Sequence, residues 1–251
     1  AGQGTIGLEI FEQLNDKVDT ILCPIGGGGL IAGVAVAAKA LNPNVKVIGV
    51  QTANIPSMHE SMKNGQVSSA FKSTTIADGI AVKTPGDMTF EIIKELVDEV
   101  VLVEEEEIAQ GIVYLMENLK VVAEGSGAVT TAALLSGKYA PKENENVVCI
   151  ISGGNVDVNN LYRIIGSGLA KEGRRYSFSV TMIDKPGGFS ELTKIISENN
   201  ANILNANQSR LSSGAYIGKQ NAEFVLETFD NEHIQKIKSD IEAAGFEIKD
   251  L

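Results

Sequence analysis

Thr20-Ile21-Leu22-Cys23-Pro24-Ile25-Gly26-Gly27-Gly28-Gly29-Leu30 is the stretch on which the fold turns. A short apolar run, Val18 to Cys23, leads into four glycines. An Ala-rich segment from Leu30 to Leu41 follows, and Val45 to Val50 is apolar again. Apolar runs too short for helices, on either side of a segment long enough to be one, predict strand, glycine turn, helix and strand: a βαβ unit. Downstream, Pro85-Gly86-Asp87 predicts a helix start with Asp87 as N-cap, and Val100 to Val103 reads as a strand. Glu104 to Glu107 reads as the dipole-favoured first turn of a helix continuing through Ile108, Ile112, Val113 and Leu115, in preference to a metal site. Another helix is expected over Ala128 to Leu135. Asn146 to Ile151 then reads as a strand of the apolar kind buried on both faces of parallel sheets. Strands alternating with helices over the first 170 or so residues mean an α/β layer fold.

The 251 residues are 43% hydrophobic and 21% charged, the balance of a folded globular chain rather than a disordered one. No apolar run approaches the roughly 20 residues that span a bilayer, so membrane insertion is not expected. Asp plus Glu number 32 against 21 Lys plus Arg, a net charge of -11, and Arg163, Arg174, Arg175 and Arg210 form no stripe, which argues against nucleic acid as a partner. Cys23 and Cys149 each sit in an apolar run, which suits buried reduced thiols of a cytoplasmic protein. His59 and His233 are isolated from each other and from the cysteines, read as surface helix residues, and offer no zinc spacing. The chain opens inside a helical pattern without an initiating Met and reads as the C-terminal part of something longer.

Lys171-Glu172-Gly173-Arg174-Arg175 breaks the pattern, and the division expected from it is 1–172 and 173–251. Beyond it the reading is strand (176–183), turn (Asp184-Lys185-Pro186-Gly187-Gly188), helix (189–199), strand (203–210), strand (222–229), helix (232–244) and strand (247–251). That order is βαββαβ, the split ferredoxin-like arrangement. Polar and apolar residues alternate from Ile203 to Arg210, so one face can meet the helices while the other meets a ligand or a neighbour.

Gly26 to Gly29, between strand and helix, let the backbone approach an anion where the helix offers unsatisfied N–H groups and its positive dipole end. The alternative is a tight, closely packed turn. The spacing is not a dinucleotide fingerprint, since Gln51 stands where an acidic residue would, and no Lys-Ser/Thr pair makes it a P-loop. Ser152-Gly153-Gly154 repeats the logic after the other apolar strand. Two glycine-rich strand ends facing one crevice imply a phosphorylated cofactor.

In that order, Gly26-Gly27-Gly28-Gly29-Leu30, Ala123-Glu124-Gly125-Ser126-Gly127-Ala128 and Ser152-Gly153-Gly154-Asn155 resemble the serine/threonine dehydratases of the pyridoxal-phosphate fold type II family. Ala1-Gly2-Gln3-Gly4-Thr5 is similar to that family too, and the likeness runs to about residue 170. The resemblance implies pyridoxal 5'-phosphate as cofactor, with Gly26, Gly27, Gly28, Gly29 and Leu30 at its phosphate, and Ser152, beside Gly153, on the pyridine nitrogen. A neutral hydroxyl there leaves the ring a milder electron sink, suited to β-elimination. It also implies a monovalent or divalent cation at Glu124 and the Ala128 carbonyl; the plain alternative for Glu124 is a helix-start carboxylate on the dipole.

Such chemistry needs an amine for the resting Schiff base and for the α-proton. The family keeps it in Ser-x-Lys-x-Arg-Gly. The nearest echo, Ser61-Met62-Lys63-Asn64-Gly65, lacks the Arg and reads as a polar helix end, and the family's Ser-x-Gly-Asn-His loop is absent as well. No catalytic residue is therefore assigned within these residues, and the chain alone is expected not to deaminate L-threonine. Tyr176 to Leu251 resembles an ACT domain, with Asp184-Lys185-Pro186-Gly187-Gly188 matching the family's Asp-x-Pro-Gly turn. This implies an amino-acid effector at Gly187, Gly188, Phe189, Asn205 and Asn207, held where two copies pair edge to edge in a homo-oligomer, a dimer or tetramer; a tight turn without ligand is the alternative. Two functions follow: part of a threonine (serine) ammonia-lyase with an amino-acid-sensing tail, or a non-catalytic amino-acid-binding module that dimerises.

Overall fold

A computed structural model describes residues 2–209 and 218–251; Ala1 and Arg210, both named above, lie outside them. The chain divides into two compact units, Ala1–Gly168 and Leu169–Leu251. The break expected at 171–175 is the turn after a helix that runs to Lys171.

In the first unit α1 (Gly4–Gln13) precedes β1 (Thr20–Pro24), α2 (Gly29–Leu41) and β2 (Lys46–Thr52), the βαβ unit read from the sequence. Then come α3 (Ser57–Asn64), a 3-10 turn at Asp78–Ile80, α4 (Asp87–Leu96), β3 (Glu99–Val103) and α5 (Glu105–Tyr114), whose end runs into a π turn at Leu115–Leu119. α6 (Gly125–Leu135), β4 (Val147–Cys149) and α7 (Val158–Lys171) complete it. The sheet is parallel, in the order β3-β2-β1-β4.

Period-two alternation in β1 puts Ile21 and Cys23 on one face, against Ile31, Val34, Phe90 and Ile93, and Leu22 on the other, against residues of α5 and α6. Both faces are thus covered by helices, as an apolar parallel strand requires. β4 departs from that expectation. It spans only three residues, all half-buried, because it forms the edge of the sheet and pairs with β1 alone. Asp87 is likewise not the N-cap of α4. Gly86 is, with extended φ/ψ of -76° and 140°, and Asp87 is the first helical residue. The acidic run behaves as expected: Glu104 caps α5, and its N–H donates to Glu107 Oε2 (2.8 Å). Among the described residues no group of three or more His, Cys, Asp or Glu side chains is placed to hold a metal.

The second unit contains β5 (Arg175–Ile183), α8 (Gly188–Glu198), β6 (Asn202–Ser209), β7 (Lys219–Glu227), α9 (Asn231–Ala243) and β8 (Glu247–Asp250), the βαββαβ order of the sequence reading. Its antiparallel sheet runs β6-β7-β5-β8. Phe178, Val180, Ala222 and Phe224 face the helices, where Leu192, Ile196, Ile237 and Ile241 are buried. His233 is more than a surface residue: its Nε2 lies 2.7 Å from the Asn199 carbonyl, and its ring stacks on Phe229.

Candidate cofactor site

β1 is followed in space by β2 and β3 on one side and by β4 on the other. Crossovers leaving a strand in opposite directions open a crevice beyond the C-terminal ends, where open α/β sheets bind ligands. Here the crevice measures about 280 Å³, and its walls include Gly26 to Leu30 after β1 and Ser152 after β4. The remaining wall comes from Pro24, Gly79, Ile80, Glu124 and Ser126.

The glycine loop is held from behind. The Gly27 carbonyl accepts from Thr89 Oγ1 (2.6 Å) and from the Gly86 N–H (3.5 Å), both at the start of α4. A planar trans peptide then turns the Gly28 N–H the opposite way, away from α4. Gly28 has φ of +93° and is packed so closely that a Cβ there would stand 2.7 Å from Ile93 Cδ1. Its carbonyl accepts the Ala32 N–H and opens α2. The first-turn N–H groups have no acceptor within their own helix. Gly29, by contrast, lines the crevice, and a Cβ there would meet nothing within 4 Å. The loop combines a packed glycine with an open one, which a merely tight turn does not require.

Opposite, α6 begins at Gly125, where a Cβ would be 2.3 Å from the Ile76 carbonyl, so helix and loop touch backbone to backbone. That loop, leading to Asp78–Ile80, is fixed by Glu105, which accepts from Thr52 Oγ1 (2.9 Å) and from the Ile76 N–H (2.6 Å). Glu124 occupies the N-cap of α6 without a side-chain cap bond; its N–H donates to the Gly153 carbonyl (3.1 Å), and its carboxylate lies over Gly153. Glu124 and Ser152 thus share one crevice with the loop, and Gly153 supports it from behind Glu124. Ala128 is not brought there. It is buried within α6, with its carbonyl turned toward Gly111 of α5. Lys63 is exposed on α3 and is not part of the crevice.

Sequence reasoning assigned no role to Gly79, Ile80 or Ser126. The first two are some 50 residues beyond the glycine loop and carry no local signal of a wall. Ser126 was visible only as part of a glycine-rich helix start. Cys149 is half-buried, and burial pushes its thiol up to about 11; Cys23 is fully buried, and its thiol is raised further by the same cause.

In the second unit Gly187 caps α8 with φ of +93°, and Gly188 lines a cavity of about 390 Å³ with Lys185, Glu191, Lys219, Phe246 and Glu247 among its walls. Phe189 does not face it, because its ring stacks on Phe224 in the core (5.4 Å between centroids). Asn205 and Asn207 pair with Val225 and Glu223 on the sheet face opposite the helices, along the edge strand β6. Within one copy the structure does not bring them to the Gly188 cavity.

A crevice at the switch point of a parallel sheet, with a glycine loop at one helix N-terminus and hydroxyls across from it, defines a site for a phosphorylated cofactor. The chain belongs to the pyridoxal-phosphate dependent enzyme family, whose model matches residues 1–153, and an ACT domain model matches residues 176–246. It is 49% identical over 249 residues to the L-threonine ammonia-lyase of Thermotoga maritima, covering 99% of this chain and 61% of that protein. It is 47% identical over 246 residues to the enzyme of the same name from Geobacter sulfurreducens, again covering 61% of it. The chain thus spans about three-fifths of the length of these relatives. Among solved structures, the processed form of threonine deaminase isoform 2 from Solanum lycopersicum superposes with a TM-score of 0.61 at 39% identity, covering 66% of this chain and 48% of that one. Maize serine racemase superposes with 0.60 at 37%, covering 68% and 52%.

The residues present fit pyridoxal phosphate. The open side of Gly29 leaves room for a phosphate against α2, and the Ser126 hydroxyl, 2% exposed, has no hydrogen-bond partner among the described residues and lines the same crevice.

Proposed function

We propose that this chain is the cofactor-binding and regulatory portion of a threonine (serine) ammonia-lyase, which converts L-threonine to 2-oxobutanoate and ammonia. The observation that carries the reading is the convergence of Gly26 to Leu30, Glu124, Ser126 and Ser152 on one crevice in a chain of the pyridoxal-phosphate family. Pyridoxal phosphate, when bound, supplies the electron sink that lets the α-proton leave. The backbone N–H groups of Gly26 to Leu30 hold its phosphate at the start of α2, and Ser152, beside Gly153, hydrogen-bonds its ring nitrogen without carrying charge there. Glu124 offers its carboxylate to a monovalent or divalent cation at the edge of the crevice; the Ala128 carbonyl, turned toward α5, takes no part in holding it.

The Ser-x-Lys-x-Arg-Gly motif does not occur in the 251 residues. The chain by itself therefore binds cofactor without deaminating threonine. In the second unit an amino-acid effector binds where the Gly187–Gly188 turn of one copy meets Asn205 and Asn207 of another, since these groups lie apart within a single copy. Phe189 supports that turn from the core. Effector binding shifts an oligomeric equilibrium through its different affinity for the two states. The assembly is a cytoplasmic homo-oligomer; among the described residues no helix is long and apolar enough to cross a membrane.

Incubating the pure chain with L-threonine and pyridoxal phosphate, and assaying 2-oxobutanoate, tests the catalytic part; turnover would overturn it. Calorimetry with isoleucine, valine and threonine at millimolar concentration tests the effector part, and silence with every common amino acid would overturn that.

A further inference from the structure

We propose that the Ser126 hydroxyl directly hydrogen-bonds the pyridoxal phosphate in the crevice, as a second hydroxyl contact besides Ser152. The inference rests on the cofactor reading given above. A buried helical hydroxyl ordinarily satisfies itself by donating to the carbonyl four residues back. Ser61 does so to the Ser57 carbonyl (2.6 Å), and the half-buried Ser136 at the C-cap of α6 does so to that of Ala132 (2.7 Å). Ser126 has no such recourse. It is the second residue of α6, and the carbonyl four residues back belongs to Val122, outside the helix and turned toward Gly154.

One helical turn further on, on the same face, Thr130 Oγ1 donates to the Ile150 carbonyl (3.1 Å) at the end of β4. Ser126 therefore lies one turn beyond that contact toward the strand ends, where Ser152 stands. Its Oγ would be 2.8 Å from a Cβ on Gly79, so a side chain at 79 would collide with the hydroxyl, and glycine keeps that contact free. The hydroxyl is 2% exposed, unpartnered among the described residues, and on the crevice wall. A buried polar group so placed is satisfied by what enters the crevice.

The test uses Ser126→Ala in the full 251-residue chain. The probe is pyridoxine 5'-phosphate, which carries ring and phosphate but no aldehyde to react with surface lysines, and it is titrated by calorimetry alongside thermal unfolding of the ligand-free proteins. A neutral hydrogen bond of ordinary strength predicts binding weakened by about threefold to tenfold. The ligand-free variant should melt at the same temperature as the parent or higher, since it loses an unpartnered group. Thr130→Ala, which removes a bond already made, should melt lower. Equal affinity of Ser126→Ala and parent, with the parent binding, overturns the Ser126 contact alone. A lower melting temperature for ligand-free Ser126→Ala also overturns it, because the hydroxyl then serves the fold. No binding by the parent overturns the cofactor reading and this inference together.

Discussion

Replacing Gly29 and Gly28 one at a time by alanine separates a phosphate cradle from a tight turn. At Gly29 the added methyl meets nothing within 4 Å, and the residue already lies in α2 with no left-handed φ. Alanine there gains helix propensity of up to about 1 kcal/mol over glycine. The ligand-free protein should therefore be as stable as the parent or slightly more so. The same methyl stands in the crevice, where it blocks close approach of a phosphate to the α2 N-terminus, and pyridoxine 5'-phosphate should bind at least about tenfold more weakly, which corresponds to roughly 1.4 kcal/mol. At Gly28 the balance reverses. A φ of +93° costs an L-residue about 1–2 kcal/mol. The methyl would also stand 2.7 Å from Ile93 Cδ1 and 3.0 Å from Met58 Cε and Thr89 Cβ. Forcing a methyl into such a packed site costs about 1–3 kcal/mol. At about 2–4 °C per kcal/mol for a unit of this size, Gly28→Ala should melt on the order of 10 °C lower. Differential scanning calorimetry gives the stabilities and titration calorimetry the affinities. Parent-like binding by Gly29→Ala would refute the cradle, and a parent-like melting temperature for Gly28→Ala would refute the packing argument.

Two further predictions concern groups outside the crevice. Glu145 accepts from Thr20 Oγ1 (2.5 Å), from Tyr139 Oη and from the Lys142 N–H (2.7 Å), and these bonds, Thr20's foremost, hold its carboxyl down at about 2 against a usual 4.5. A depressed folded-state value contributes stability that is present above about 4.5 and is lost as pH falls toward about 2. Glu145→Gln should accordingly lower stability at pH 7 by about 1–2 kcal/mol in urea unfolding, and the gap from the parent should narrow as pH falls below about 4.5 and close only near about 2; a gap independent of pH would contradict this. Because burial raises both thiols, Cys23 and Cys149 should label with a maleimide at pH 8 only after unfolding, and rapid labelling of the native chain would show that one of them is accessible.

Much of the fold is legible in the sequence because its signals are local. A glycine run between an apolar strand and an Ala-rich helix has few alternative conformations, and β1, the loop and α2 lie where they are expected. The βαββαβ order of the second unit is equally plain from period and turns. What escapes is set by neighbours rather than by the segment. Val147 to Ile151 is apolar enough for a central strand, yet nothing local says that it has a partner on only one side. The N-cap of α4 falls on Gly86 because of its backbone angles, although Asp87 has the better capping side chain. Phe189 beside a glycine turn reads as a ligand contact, but its partner Phe224 lies on a strand 35 residues away. In the site, the glycine loop and Ser152 are readable as motifs, whereas Gly79 and Ser126 become wall residues only through contacts across the fold.

The irregularity in β6 has a consequence for assembly and for misassembly alike. Leu204 drops out of register between Ile203 and Asn205, so the edge is interrupted near its start and regular again only from Asn205 to Ser209. Among the described residues, a strand adding to this edge meets Asn205 to Ser209 beyond the bulge, four of the five polar, with the bulge as a stop on one side. A polar edge kinked by a bulge pins the register of a pairing strand and is a poor template for the flat, apolar stacking by which chains add without limit. The same kink that fixes a specific pairing thereby guards this edge against fibrous aggregation.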